Sequence, residues 1–158
     1  MPLTTNRVKA GALAFSATAL ITLAVNEGFS DHAYIPVKGD VPTIGYGTTE
    51  GVKMGDRITQ LDAMKALNRD VAKYEDDIKK CIHVPISQHE FDAYVDFAYN
   101  VGPRAFCDST LNRLLNQQQY DLACRQLLRW TKFHGYVLEG LAKRRQQEYQ
   151  TCMGVANV

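Results

Sequence analysis

Apolar residues follow three regimes along this chain. The first is continuous: after Arg7 and Lys9, residues 10–26 (AGALAFSATALITLAVN) carry no charge. Alanine, Gly11, Ser16, Thr18 and Thr22 dilute its Leu, Ile, Phe and Val, so the run is only weakly apolar. At ~1.5 Å per residue, a helix of that length barely crosses a hydrocarbon core of about 30 Å. The second regime, residues 27–58, is punctuated by Gly39, Pro42, Gly45, Gly47, Gly51 and Gly55, with Thr43-Ile44 and Tyr46 between them. It predicts turns and a small, twisted antiparallel sheet. The third is helical. Thr59 and Asp62 cap a long helix striped by Leu61, Met64, Leu67, Val71, Tyr74 and Ile78. Ser87 and Glu90 form a capping box for a helix striped by Phe91, Tyr94, Val95 and Ala98, which stops at Gly102-Pro103. Leu111, Leu114 and Leu115, then Leu122, Leu127, Leu128 and Trp130, mark two further helices, and a last one spans about Leu141 to Cys152. The pattern predicts an α+β, mostly helical protein. Its expected parts are residues 1–26, a β-lobe over 27–58, a connecting helix over 59–80 and a helical lobe over 81–158.

Composition adds two points. A chain of 158 residues with 46% hydrophobic and 22% charged residues is an ordinary globular one, not a disordered one. The formal charge of +1 conceals an uneven distribution. From residue 101 on, Arg104, Arg113, Arg125, Arg129, Lys132, Lys143, Arg144 and Arg145 face only Asp108, Asp121, Glu139 and Glu148. That excess suits an anionic polymer or membrane surface, or simply a solvated helix face. Cys81, Cys107, Cys124 and Cys152 contain no C-x-x-C pair and no histidine at ligand spacing, so no metal site is expected. They are disulfide partners in an oxidising compartment, or buried thiols in a reducing one. The basic flank before residues 10–26 favours export, because a positive end followed by an apolar stretch reads as an export signal. The same stretch also fits a cleavable signal, with Ala17-Thr18-Ala19 as the cut, or a first buried helix.

Chemistry concentrates in residues 27–48, EGFSDHAYIPVKGDVPTIGYGT. Glu27 stands where the apolar run meets the glycine-rich region, a setting that raises a carboxyl pKa toward that of a general acid. Asp40 lies in a Gly-Asp turn just before Thr43. Two carboxyl groups across a cleft, one protonated and one ionised, are the minimal equipment for glycoside hydrolysis. A turn-forming Asp40 and a solvated Glu27 explain the same residues without chemistry. His32, His83, His89 and His134 are scattered and read as surface residues, and Trp130 as a core anchor.

The stretch resembles the catalytic motif of the phage-type lysozyme family, here as Glu27-Gly28, Ala33-Tyr34, Gly39 and Thr43-Ile44-Gly45-Tyr46-Gly47-Thr48. Residues 97–102 (FAYNVG), Phe106 to Leu111, Leu128-Arg129-Trp130, Gly140-Leu141 and Arg144-Arg145 with Glu148 are also similar, in unbroken order over about residues 20 to 152. The resemblance implies a lysozyme-like fold and a muramidase that cuts the β-1,4 link between N-acetylmuramic acid and N-acetylglucosamine in peptidoglycan. Glu27 would be its general acid, with Asp40 and Thr43 orienting water. The family's aspartate usually stands two residues after the Tyr, where this chain has Pro36, and Asp40 sits in a turn one residue longer than usual. Inversion would need a carboxyl separation of roughly 6.5–9.5 Å. Tyr46, Tyr99 and Asn100 match substrate-contacting positions. No metal, cofactor or nucleic acid is implied, and a monomer is expected.

The resemblance extends to a signal-arrest-release subset, in which a weakly apolar anchor first tethers the exported enzyme to the bacterial inner membrane and then frees it into the periplasm. Residues 18–25 would then become the helix that positions Glu27. No cysteine lies in residues 1–26, so a cysteine cage in the anchor is excluded. The resemblance further implies structural disulfides, paired Cys107–Cys124 and Cys81–Cys152. Two other activities remain open: a lytic transglycosylase on the same bond, and a noncatalytic, membrane-tethered peptidoglycan-binding module.

Overall fold

The computed structural model describes residues 5–155. By internal packing the chain forms two units: residues 17–73, and residues up to 16 together with those from 74 on.

The 17–73 unit begins with α1 (Ala17–Glu27), which buries Leu23 and Ala24. Strands β1 (Ser30–Tyr34) and β2 (Thr43–Gly45) pair antiparallel, with Ser30 opposite Gly45 and Tyr34 opposite Thr43 across an irregular register. Residues 56–58 flank β1: Ala33 N–H donates to the Asp56 carbonyl at 3.0 Å, and Ile58 N–H to that of Asp31 at 3.0 Å. Helix α2 (Gln60–Lys79) follows, capped as expected by the Thr59 hydroxyl accepting from Asp62 N–H at 3.1 Å. Of its expected stripe, Leu67, Val71 and Ile78 are buried and Met64 and Tyr74 half-buried, and only Leu61 departs. Leu61 is 66% exposed, while Ala63, Ala66, Leu67, Val71 and Ile78 are buried. Small residues let the hairpin approach, and the largest apolar side chain of the first turn faces out.

The other unit contains α3 (Gln88–Val101), α4 (Pro103–Cys107), α5 (Thr110–Asn116), α6 (Tyr120–Gln126) and α7 (Glu139–Cys152). The capping box is present at Ser87 and Glu90, and α3 stops at Gly102 with Pro103 opening α4. The core of this unit is Phe91, Tyr94, Phe97, Phe106, Leu111, Leu115 and Leu127. The helix expected through Leu122–Trp130 is shorter: α6 tightens into a 3-10 turn at Leu127–Arg129, burying Ala123, Cys124 and Leu127 and leaving Leu122 and Leu128 exposed. Trp130 packs edge-on against Phe97, with ring centroids 5.2 Å apart. A short hairpin, β3 (Lys132–Phe133) with β4 (Tyr136–Val137), has no counterpart in the apolar pattern.

The cysteine pairing corrects the expectation. Cys81 joins Cys107 and Cys124 joins Cys152, so Cys107–Cys124 and Cys81–Cys152 do not form. Each bridge links residues 26 and 28 apart, which no spacing rule could select among three pairings.

The weakly apolar run is not one helix. Val8 and Ile86 exchange backbone hydrogen bonds of 2.9 and 2.8 Å, and residues 10–12 make a 3-10 turn. The chain then runs as a strap to Ser16. Phe15 N–H donates to Glu75 at 2.5 Å, the backbone and hydroxyl of Ser16 donate to Asp92 at 3.0 and 2.7 Å, and Gln88 donates to the Ala14 carbonyl at 2.8 Å. Arg7 grips buried Glu90 with two 3.0 Å bonds and lies 3.6 Å over the Tyr120 ring. Among the described residues, no helix is long and apolar enough to cross a membrane.

Candidate active site

Glu27 is the last residue of α1 and is half-buried. The helix ends there because Gly28 takes a left-handed φ of 75° while its N–H still donates to the Ala24 carbonyl at 3.1 Å. The chain then turns directly into β1.

Asp40 and Thr43 sit on the connection between β1 and β2. Asp40 N–H donates to the Val37 carbonyl at 2.9 Å, closing a turn around Gly39, and its carboxylate accepts from Val41 N–H at 2.9 Å. The buried Thr43 hydroxyl donates to the Val41 carbonyl at 3.2 Å. Both side chains are thus tied to the same peptide segment. Asp40 itself is exposed, so the turn fixes the carboxylate's direction while leaving it in water.

Residues 44–48 form a tight loop closed by reciprocal Ile44–Thr48 backbone bonds of 2.9 and 3.0 Å. Gly45 is required twice. Its φ is +65°, and a Cβ there would lie 2.9 Å from that of Ala63 on α2. Thr48 donates to Asp70 at 2.7 Å and Gln60 to the Tyr46 hydroxyl at 3.1 Å, pinning the loop to α2. Tyr46 is buried, with its ring tilted against Phe29 at 5.3 Å. Ile21, Val25, Phe29, Tyr46 and Met64 help line an open apolar recess of about 380 Å³. Gln60, Ala63 and Asp70 were not singled out from sequence. Their roles depend on partners 14 to 22 residues away, and no local motif marks them.

Tyr99 and Asn100 lie at the end of α3 in the other unit. Tyr99 is half-buried, with its ring 4.8 Å from that of Tyr74. The carbonyl oxygen of the Asn100 side chain accepts from Arg145. Arg145 also donates to Glu148 and, at 2.9 Å, to the Trp130 carbonyl. Arg144 pairs with Asp96 at 3.1 Å. Burial pushes the Glu148 carboxyl up to about 8, with nearby Asp96 adding to the rise against Arg145, and burial lowers Arg145. Two histidines do have partners, contrary to the sequence reading. His32 bonds Asp31 at 2.8 Å, and half-buried His89 bonds the Cys152 carbonyl at 2.9 Å. Among the described residues, no cluster of His, Cys, Asp or Glu could hold a metal.

The α+β architecture is similar to that of an endolysin from Escherichia coli O157:H7 phage FAHEc1, with a TM-score of 0.79 at 33% identity over 88% of this chain and 92% of that one. The chain belongs to the phage lysozyme family, whose model matches residues 24–148. It is 40% identical over 124 residues to an endolysin of Bacillus phage B103, covering 77% of this chain but 47% of that protein. The chain thus spans about half the length of that relative. It is 36% identical over 141 residues to a SAR-endolysin of Pseudomonas phage phiKMV, covering 87% of each. Among solved structures, the muramidase domain of SpmX from Asticaccaulis excentricus superposes with a TM-score of 0.82 at 30% identity, over 87% of this chain and 96% of that one.

Proposed function

We propose that this chain is a phage endolysin that hydrolyses the β-1,4 bond between N-acetylmuramic acid and N-acetylglucosamine in peptidoglycan. The observation that carries the reading is the shared tether of Asp40 and Thr43 to Val41, in the same unit as Glu27. One carboxylate and one hydroxyl, both bonded to the backbone of Val41, are suited to hold a water. In the proposed reaction Glu27 protonates the glycosidic oxygen as the bond breaks. The water oriented by Asp40 and Thr43 attacks the anomeric carbon from the opposite face and gives its proton to Asp40, so the product is inverted. Tyr46, Tyr99 and Asn100 would bind the glycan on this reading. The paired test is Glu27→Gln and Asp40→Asn on purified cell walls. Loss of at least about a hundredfold in rate is expected for each, with reducing ends of inverted configuration from the parent. Anhydro ends, or an Asp40→Asn variant of full activity, would sink this mechanism.

Residues 10–26 are proposed to serve first as the transient inner-membrane tether and then as the strap and α1 of a periplasmic enzyme. The SAR-endolysin relatives support this. Gly11 has open space where a side chain would stand, and Ala14 is exposed. Leucine at both is therefore tolerated by the released fold while strengthening the tether. Gly11→Leu with Ala14→Leu should keep the protein in the membrane fraction and delay lysis, and unchanged release would refute the tether.

A further inference from the structure

The β3–β4 hairpin is the part of the described chain that neither the fold nor the proposed reaction uses. Its two-residue turn is His134-Gly135, both with positive φ (50° and 82°), and its base is closed by Leu138 N–H donating to the Thr131 carbonyl at 3.0 Å. Phe133 pairs with Tyr136 and Lys132 with Val137. Residues directly opposite in an antiparallel pair share a face, so the two aromatic rings stand together beside the tip. Phe133 is 59% exposed, Tyr136 76%, Val137 63% and Leu138 43%. Successive pairs alternate in face, so Val137 stands with Lys132 on the side opposite the rings, and exposed apolar side chains flank both faces of the hairpin, where soluble proteins ordinarily keep such surface small. The charges around them are mainly of one sign. Arg129, Lys132 and Lys143 are exposed, and Glu139 is the only acid from residue 129 to 143.

We propose that this hairpin is a docking edge for an anionic lipid surface. Aromatic and aliphatic side chains together, flanked by lysine and arginine, fit the headgroup boundary of a bilayer: rings and branched chains enter the acyl edge while the cations stay among the phosphates. Exposed Val137, on the Lys132 face, and exposed Leu138 at the hairpin's base favour lipid over sugar, because a glycan face is met by flat rings rather than by exposed aliphatics. The cations complement acidic headgroups and have no apolar role. The edge holds the protein at a membrane after any N-terminal tether has let go, and it acts independently of Glu27 and Asp40.

The test is flotation of the full-length protein with vesicles of phosphatidylglycerol and phosphatidylethanolamine, against vesicles of phosphatidylcholine alone. Binding to the acidic vesicles, weakened by salt, is expected. It should fall about tenfold in Phe133→Ser with Tyr136→Ser, and by a similar factor in Lys132→Glu. All variants should keep the parent melting temperature and wall-hydrolysing rate, since these side chains are exposed. A Tyr136→Trp variant places a reporter at the tip, and its emission should shift to the blue on acidic vesicles. Absence of vesicle binding by the parent overturns the proposal. So does equal binding by the hairpin variants, which would leave residues 10–26 as the lipid contact. Loss of binding to purified sacculi instead of vesicles assigns the edge to the wall and equally overturns it.

Discussion

At the residue scale, Gly45 and Gly28 show how one residue type serves two purposes. Both have positive φ, but only at Gly45 would a Cβ collide with a neighbouring helix; at Gly28 it meets open space. Gly45→Ala should therefore cost about 2–4 kcal/mol by urea denaturation and Gly28→Ala about 1 kcal/mol, the second reflecting backbone strain alone. Glu148 makes stability depend on pH. Its folded-state value of about 8 lies above the ordinary 4.5, so folding takes up a proton between the two. The contribution is fully present below pH 4.5 and is lost as pH rises through about 8. Melting curves from about pH 5 to 8.5 should show this decline, and Glu148→Gln should flatten it. The turns at Gly28, Gly45 and Gly47 were legible in the sequence because their positive φ favours glycine, whereas Glu27 and Thr43 were singled out through the family resemblance. The Val41 peptide shared by Asp40 and Thr43 was not, because a hydrogen bond to backbone leaves no mark on the identity of the residue between.

At the element scale, the N-terminal strap carries the lesson. Periodicity and charge identify residues 10–26 as one weakly apolar run, yet the chain is extended at 13–16 and becomes α-helical only from Ala17. The cause lies 60 to 76 residues away, in the Glu75 and Asp92 carboxylates that take the backbone N–H groups of Phe15 and Ser16. Asp92 is 8% exposed and also accepts from Gln88 at 2.9 Å. Asp92→Ala should destabilise the chain by about 2–4 kcal/mol and speed amide exchange at residues 13–17 ahead of the rest. In α2 the capping signal located the helix start and the stripe from Met64 to Ile78 faces inward, whereas Leu61 was misplaced because Ala63 and Ala66, which are buried instead, carry too little hydrophobicity to outweigh it. The β3–β4 hairpin was missed since strands of two residues are too short to show alternation.

At the scale of the whole molecule, both disulfides lie in the unit containing α3–α7, and residues 17–73 contain no cysteine. Closed loops of this size restrict the unfolded chain by about 3.5 kcal/mol each in the chain-entropy account. Reduction should therefore lower the stability of the disulfide-bearing unit and leave amide protection within residues 20–70 largely intact, as exchange before and after dithiothreitol would read out. The α+β class and helix order were legible because caps and periodicity are local. The pairing of the cysteines was not, since it is a property of the packed helices.

The unit that holds residues 5–16 is interrupted by the whole of residues 17–73 before it resumes. During synthesis residues 5–16 therefore emerge before Ile86, Glu90 and Asp92 exist to receive them, and the Cys124–Cys152 bridge cannot close until Cys152 follows. Until then that stretch lacks the partners that hold it in the folded protein. The order of synthesis alone therefore gives that stretch an interval before its own packing partners exist.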